Sequence, residues 1–175
     1  ATAPTDAMAA PLVGEGLLRV VVTPDVLAEA APHAVNTSGG SSAALYQYTS
    51  GSTSTPKGVV ITWDNLRANL DAIVGPAGLA VRPGDRAVSW LPLYHDMGLI
   101  GMALAGIRAR LPLVLMTPLL FLKRPSLWLE TISAERATIS FAPNFAYALA
   151  ARRVRDDMVA RLDLSCWRVA GCGAE

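Results

Sequence analysis

Apolar runs of strand length alternate with amphipathic segments of helix length along most of this 175-residue chain. Short apolar runs between polar connectors predict strands at residues 17–22, 58–62, 86–91, 113–116, 137–141 and 167–170. Helical spacing and start signals predict helices at residues 23–30, 63–74, 97–107, 125–135 and 144–153. This alternation predicts an α/β layered fold with a largely parallel sheet flanked by helices.

The most apolar region, residues 99–122, does not predict a membrane span. Arg108 and Arg110 interrupt it, and Pro112 and Pro118 follow. No continuous apolar stretch of about 20 residues therefore exists, and we expect no transmembrane segment. The region is typical of a buried helix followed by a buried strand.

Composition narrows the class of protein only slightly. The chain is 52% hydrophobic with a mean hydropathy of +0.36, which suits either a small, very well buried domain or a slice of a larger one. A net charge of +1 gives no electrostatic reason to expect that the chain binds nucleic acid. Cys166 and Cys172 lack the partners of a disulfide framework or a zinc site, so we expect buried cytosolic thiols and no metal site.

Residues 48–58, with the sequence YTSGSTSTPKG, form the segment richest in candidate chemistry. Small residues let backbone N–H groups approach anionic oxygens, the Ser and Thr hydroxyls can donate, and Lys57 adds a positive charge. Pro56 and Gly58 stand where a Walker P-loop needs an N–H donor and a hydroxyl, so this is a different phosphate loop. The alternative is a flexible Gly/Ser linker.

Four polar or glycine-bearing segments each follow a predicted strand. They are the phosphate loop, His95-Asp96, Pro143-Asn144 and residues 173–175. Ligands of parallel sheets bind beyond the carboxyl ends of the strands, so we expect these segments to converge on one site. His95 could act there as a base, donor or charge partner, or it could be held structurally by Asp96 or a backbone carbonyl.

The chain resembles the adenylate-forming superfamily, and most closely its fatty acyl-AMP ligase branch. The resemblance rests on residues 48–58, on VSWLPLYHDMGLIG at residues 88–101, on APNFAY at residues 142–147, and on LDLSCWR at residues 162–168 leading to GAE at residues 173–175. It implies that residues 44–175 are a partial AMP-binding domain, an internal piece of a large N-terminal domain. Residues 1–43 would be a leading segment with one strand–helix unit and a polar connector.

The resemblance also implies roles for individual residues. Lys57 and His95 would be catalytic. The nucleotide-binding residues would be Thr49, Ser50, Gly51, Ser52, Thr53, Lys57, Gly58, Gly173, Ala174 and Glu175. The acyl-binding residues would be His95, Asp96, Met97, Asn144, Phe145 and Tyr147, although Phe145 and Tyr147 could instead be core aromatics.

The implied activity is ATP-dependent conversion of a long-chain fatty acid to an acyl-adenylate, with ATP and Mg²⁺ as cofactors. An acyl carrier protein or polyketide synthase would then accept the acyl group, and the location would be cytoplasmic. The alternatives are an acyl-CoA ligase and a non-catalytic nucleotide- or acyl-binding module. We expect the 175-residue chain by itself to be inactive, because motifs associated with magnesium, ribose and the adenylation lysine are absent from it.

Three residues depart from the pattern of the family. Trp63 stands where histidine is usual, Arg110 where glycine is typical, and Cys172 where asparagine commonly precedes Gly-Ala-Glu. Arg110 is predicted to lie in a tight helix-to-strand turn, which would strain the backbone if a positive φ is needed. Cys172 removes an amide from the expected nucleotide site.

Overall fold

The computed structural model describes residues 42–49 and 57–173, all within one compact unit, Ser41–Glu175. The predicted strand at 17–22, the helix at 23–30 and most of the connector that follows lie outside the described residues. The proposed domain boundary near residue 43 therefore stays a prediction.

A four-stranded sheet forms the centre of the described chain, and all its strand pairs are parallel. Its order is β4-β3-β5-β6, with bounds β3 Ala87–Ser89, β4 Leu113–Leu115, β5 Ile139–Ala142 and β6 Val169–Cys172. Both β3 and most of β5 are buried, because helices flank the sheet. The predicted α/β fold with a largely parallel sheet is confirmed, and each of these strands overlaps its predicted range.

The strands around the phosphate loop belong to a separate, two-stranded antiparallel sheet. β1 (Ala43–Thr49) pairs with β2 (Lys57–Thr62), with Tyr48 opposite Gly58 and Thr49 opposite Lys57. The Tyr48 ring covers Gly58, since a Cβ built there would lie 3.3 Å from the ring. The expectation that this loop follows a strand of the parallel sheet is wrong, because a local apolar run does not specify its pairing partner.

Helix α1 (Trp63–Val74) begins and ends where its sequence predicts. The Thr62 hydroxyl accepts a hydrogen bond from the Asn65 N–H at 3.1 Å, and the Asn65 side chain accepts one from the Thr62 N–H at 3.3 Å. This reciprocal cap satisfies N–H groups that have no partner within the helix. Leu66 and Leu70 are buried on its apolar face, as their spacing predicts.

The remaining helices follow the sheet strands. They are α2 (Asp96–Gly98), a π-helical segment (Leu99–Leu104), α3 (Ala105–Ala109), α4 (Pro118–Lys123), α5 (Ser126–Glu135), α6 (Asn144–Arg153) and α7 (Asp156–Val159). The predicted helix at 97–107 is confirmed as the run from α2 to α3, and α6 matches its prediction. α4 and α7 were not predicted, although Thr117 before Pro118 is a recognised start signal. No helix among the described residues is long and apolar enough to cross a membrane.

Two smaller expectations have opposite outcomes. The predicted helix-to-strand turn at Arg110 is confirmed, and the residue has the positive φ, 52°, on which strain there was conditional. The expectation of buried thiols is wrong, because Cys166 is only half-buried and Cys172 is exposed at the edge strand β6. That strand has neighbours on one side only in the described sheet.

Asp85 anchors the loop before β3 to the far edge of the sheet. Its carboxylate accepts hydrogen bonds from Arg168 at 2.6 Å, the Thr138 hydroxyl at 2.7 Å and the Arg82 N–H at 3.0 Å. Burial by itself raises the pKa of this carboxyl, but the hydrogen bonds from Thr138, Arg82 and Arg168 and the Arg168 charge outweigh it. The folded-state pKa of Asp85 is therefore lower than usual.

We expect Asp85→Asn to destabilise the protein by about 3 kcal/mol at neutral pH, because it leaves Arg168 without its counter-ion. Since the folded-state pKa is depressed, the contribution of Asp85 is present above the unfolded-chain pKa of about 3.9 and is lost as pH falls through the lower folded-state value. Urea unfolding of both proteins across pH would show the difference shrinking below about pH 4. Asp64→Asn, which removes an exposed partner of Arg67, is the control and should change stability little. A difference between wild type and Asp85→Asn that does not depend on pH would contradict the assignment.

Candidate functional site

The carboxyl ends of the parallel strands bring three of the predicted segments together. β5 and β6 end in register, with Ala142 opposite Cys172, so Pro143 and Gly173 emerge side by side. A Cβ built on Gly173 would lie 3.7 Å from the Met97 sulfur. The segment after β6 therefore lies against the start of α2, which follows β3.

His95 caps the start of α2, and the partners of its imidazole lie around one ring nitrogen, Nδ1. Its Nδ1 lies 2.8 Å from Asp96 Oδ1 and 3.2 Å from the Met97 N–H. The Met97 N–H donates to His95 Nδ1 in this cap and also lies 2.7 Å from Asp96 Oδ1. No described residue forms a hydrogen bond with the other ring nitrogen, Nε2, which is left for a ligand. The imidazole is half-exposed.

Gly98 fixes the turn that presents His95. A Cβ built on Gly98 would lie 2.2 Å from the Pro92 carbonyl oxygen, so only glycine allows this approach. The same carbonyl accepts a hydrogen bond from the His95 N–H at 3.2 Å. Gly98 belongs to the motif at residues 88–101, but its positioning role was not predicted. The contact with Pro92 depends on how the chain folds back on itself.

An apolar cavity of about 560 Å³ opens beside His95. The other side chains that line it include Trp90, Leu91, Pro92, Met97, Leu122 and Phe145. Phe145 is 53% exposed and meets the edge of Trp90 at 6.2 Å between ring centroids. The sequence predicted His95, Met97 and Phe145 as acyl-binding residues, and all three line this cavity. It did not predict Leu122 or the wall that helix α4 supplies.

Tyr147, two residues after Phe145 and therefore on another face of α6, does not line this cavity. Its hydroxyl donates to the Gly171 carbonyl at 2.7 Å, and its ring stacks on Trp167 and meets Trp128 edge-on. Burial, with a contribution from the nearby Cys172 thiol, raises the pKa of Tyr147 to about 12. This position is that of a core aromatic, the second of the two alternatives. Asn144 is exposed at the first residue of α6.

A second cavity, of about 510 Å³, joins the hairpin to the His95 segment. Gln47 and Ile61 of the hairpin line one part of it, and Asp96 and Met97 line another. Met97 therefore borders both cavities. The tertiary structure places the strands of the phosphate loop next to the carboxyl edge of the parallel sheet, although they are not part of that sheet.

Lys57 and Gly58 begin β2 and are exposed, and Thr49 ends β1 directly opposite Lys57. The loop residues Ser50, Gly51, Ser52 and Thr53 lie outside the described residues, as do Ala174 and Glu175. The hairpin register therefore brings Thr49 and Lys57 together at the base of the predicted phosphate loop. Among the described residues no group of His, Cys, Asp and Glu is arranged to hold a metal ion.

The chain is similar to known proteins in sequence and in fold. The sequence profile of the family described as AMP-binding enzyme matches residues 6–175. A putative acyl-CoA synthetase from Caulobacter vibrioides is 46% identical over 74% of this chain, and a medium-chain-fatty-acid–[acyl-carrier-protein] ligase from Teredinibacter turnerae is also 46% identical over 74%. A long-chain-fatty-acid–AMP ligase from Mycobacterium bovis is 48% identical over 70%.

The chain spans only 20–22% of the length of these relatives. A crystal structure of a fatty acyl-adenylate ligase from Legionella pneumophila, in complex with acyl adenylate and pyrophosphate, is similar with a TM-score of 0.71 and 44% identity. That match covers 76% of this chain and 23% of the other. Sequence and fold together show that the chain belongs to the AMP-binding enzyme family.

Proposed function

We propose that the protein carrying this chain activates a long-chain fatty acid as its acyl-adenylate. The observation that supports this most directly is the apolar cavity that opens beside His95. A long alkyl chain needs such a slot, and the adjacent hairpin carries the predicted phosphate loop on the other side of Met97. Relatives named as fatty-acid–AMP and fatty-acid–carrier ligases support the same activity.

The reaction places few demands on acid–base chemistry. A fatty carboxylate is ionised at neutral pH, so its oxygen attacks the α-phosphorus of ATP without a general base. The bond from that phosphorus to the β-bridging oxygen breaks, and pyrophosphate leaves. The site must align the reactants and neutralise their mutual repulsion, and Lys57 with the loop N–H groups would do so.

His95 would orient the carboxylate rather than move a proton. With Nδ1 accepting from the Met97 N–H, the ring would present an Nε2–H donor to the acid. No group of His, Cys, Asp and Glu among the described residues is arranged to hold a magnesium ion. We further propose that the acyl group passes to a phosphopantetheine thiol of a carrier protein or polyketide synthase in the cytoplasm, and that the 175-residue chain alone does not turn over.

Lys57→Ala in the full-length protein should slow ATP–pyrophosphate exchange by roughly 10–100-fold, because a charge-assisted contact is worth about 1.5–3 kcal/mol. Lys123→Ala, which removes an exposed lysine at the end of α4, is the matched control and should leave exchange unchanged. Equal rates for wild type and Lys57→Ala would exclude a phosphate contact by this lysine.

Leu122→Trp should shorten the preferred acyl chain, because the larger side chain fills part of the apolar cavity. Each buried methylene adds about 0.8 kcal/mol, so affinity in the wild type should climb with chain length until the cavity is full. Adenylate formation measured across acids of increasing length would show this maximum moving to shorter acids. Leu119→Trp is the control, because Leu119 lies on the same helix, is 67% exposed and does not line the cavity. An unchanged length profile for Leu122→Trp would place the acyl chain elsewhere.

The acceptor can be identified by supplying the full-length protein with either coenzyme A or a phosphopantetheinylated carrier. We expect acyl-carrier as the main product and little acyl-CoA. Efficient acyl-CoA formation would favour the alternative, an acyl-CoA ligase, which the name of the Caulobacter vibrioides relative suggests. Nucleotide binding without pyrophosphate release would instead indicate a non-catalytic binding module.

A further inference from the structure

A third cavity, of about 490 Å³, lies at the amino ends of the parallel strands, away from His95. It is bordered by the loop before β3 and by the turn between α3 and β4. Four arginines line it: Arg82, Arg86, Arg108 and Arg110. The candidate site at the carboxyl ends of the strands does not use these residues.

Two of these arginines are already paired at the rim. Arg86 contacts Glu135 at 2.8 Å, and Arg108 contacts Asp71 at 2.6 Å. Among the described residues, Asp85 is the only carboxylate that lines the cavity. It is buried, neutralised by Arg168, and accepts hydrogen bonds from Thr138 and a backbone N–H. The lining therefore carries excess positive charge.

Arg82 and Arg110 have no carboxylate partner among the described residues. Most other described arginines do have one, including Arg67, Arg124 and Arg136. Arg110 ends α3 in the left-handed backbone region, with φ 52°. The Arg110 side chain is exposed and has no hydrogen-bond or ion-pair partner among the described residues.

We propose that this cavity binds a phosphate-bearing anion. Guanidinium groups match the geometry of phosphate oxygens and donate hydrogen bonds to them in pairs. An arginine-lined cavity therefore suits a phosphate group better than an apolar ligand. Arg82 and Arg110 supply the uncompensated charge, while Arg86 and Arg108 contribute further donors at the rim. The same chemistry is presented by free phosphate and by the headgroup of phosphatidic acid.

The test compares the full-length wild type with Arg82→Gln/Arg110→Gln. Arg152→Gln/Arg153→Gln is the matched control, because these two exposed arginines also lack a carboxylate partner in the described structure and lie outside the cavity. Binding of inorganic phosphate is measured by calorimetry at constant ionic strength and saturating ATP. The cavity variant should bind at least about tenfold more weakly, and the control should match the wild type.

Co-sedimentation with phosphatidylcholine vesicles, with and without phosphatidic acid, distinguishes the two sources. Loss of vesicle binding in the cavity variant alone identifies the headgroup, whereas loss of phosphate binding alone identifies the free anion. The proposal is overturned if the wild type binds neither probe, or if both double variants lose binding equally. Adenylate formation should be unchanged in the cavity variant, so failure of the proposed activity would not affect the outcome for this site.

Discussion

The buried indole of Trp128 is the interaction on which the rest of the described structure depends. Its N–H donates to the Ser140 hydroxyl at 2.9 Å, and that hydroxyl donates to the Val88 carbonyl at 2.6 Å. This chain of hydrogen bonds ties α5 to both central strands of the sheet. An unpaired indole N–H would cost about 1–3 kcal/mol in such a place, so the polar chain fixes how helix and sheet meet.

The aromatic packing around Trp128 builds the wall of the apolar cavity. Phe121 meets Trp128 edge-on and stacks on Trp90 with centroids 4.0 Å apart. Trp90 in turn lines the cavity and meets Phe145. Because Phe121 and Trp128 are fully buried, the wall they support is rigid, and the cavity beside His95 has a defined boundary.

The two ends of the parallel sheet carry different chemistry. At the carboxyl ends, Gly98 allows the backbone to approach Pro92 closely beside His95, and Gly173 lies against Met97. At the amino ends, arginines surround the neutralised Asp85 carboxylate. The separation follows from parallel pairing, which gathers the loops that precede the strands at one edge and those that follow them at the other.

Much of this organisation is determined by local sequence. The capping pair of Thr62 and Asn65 and the spacing of Leu66 and Leu70 specify α1 to the residue, because these interactions are formed within three or four positions. The turn at Arg110 was likewise predictable from its position between a helix and a strand, whereas its positive φ was only a condition.

Only the tertiary structure decided how the elements combine. The two strands that flank the predicted phosphate loop pair with each other rather than with the parallel sheet. Tyr147 packs against the aromatic core, whereas Phe145 lines the cavity. Leu122 also lines the cavity and comes from a helix that was not predicted. Those outcomes depend on contacts between residues that are distant in the sequence. The pattern of apolar positions specifies that a face of an element is buried, but it does not specify which other element packs against that face.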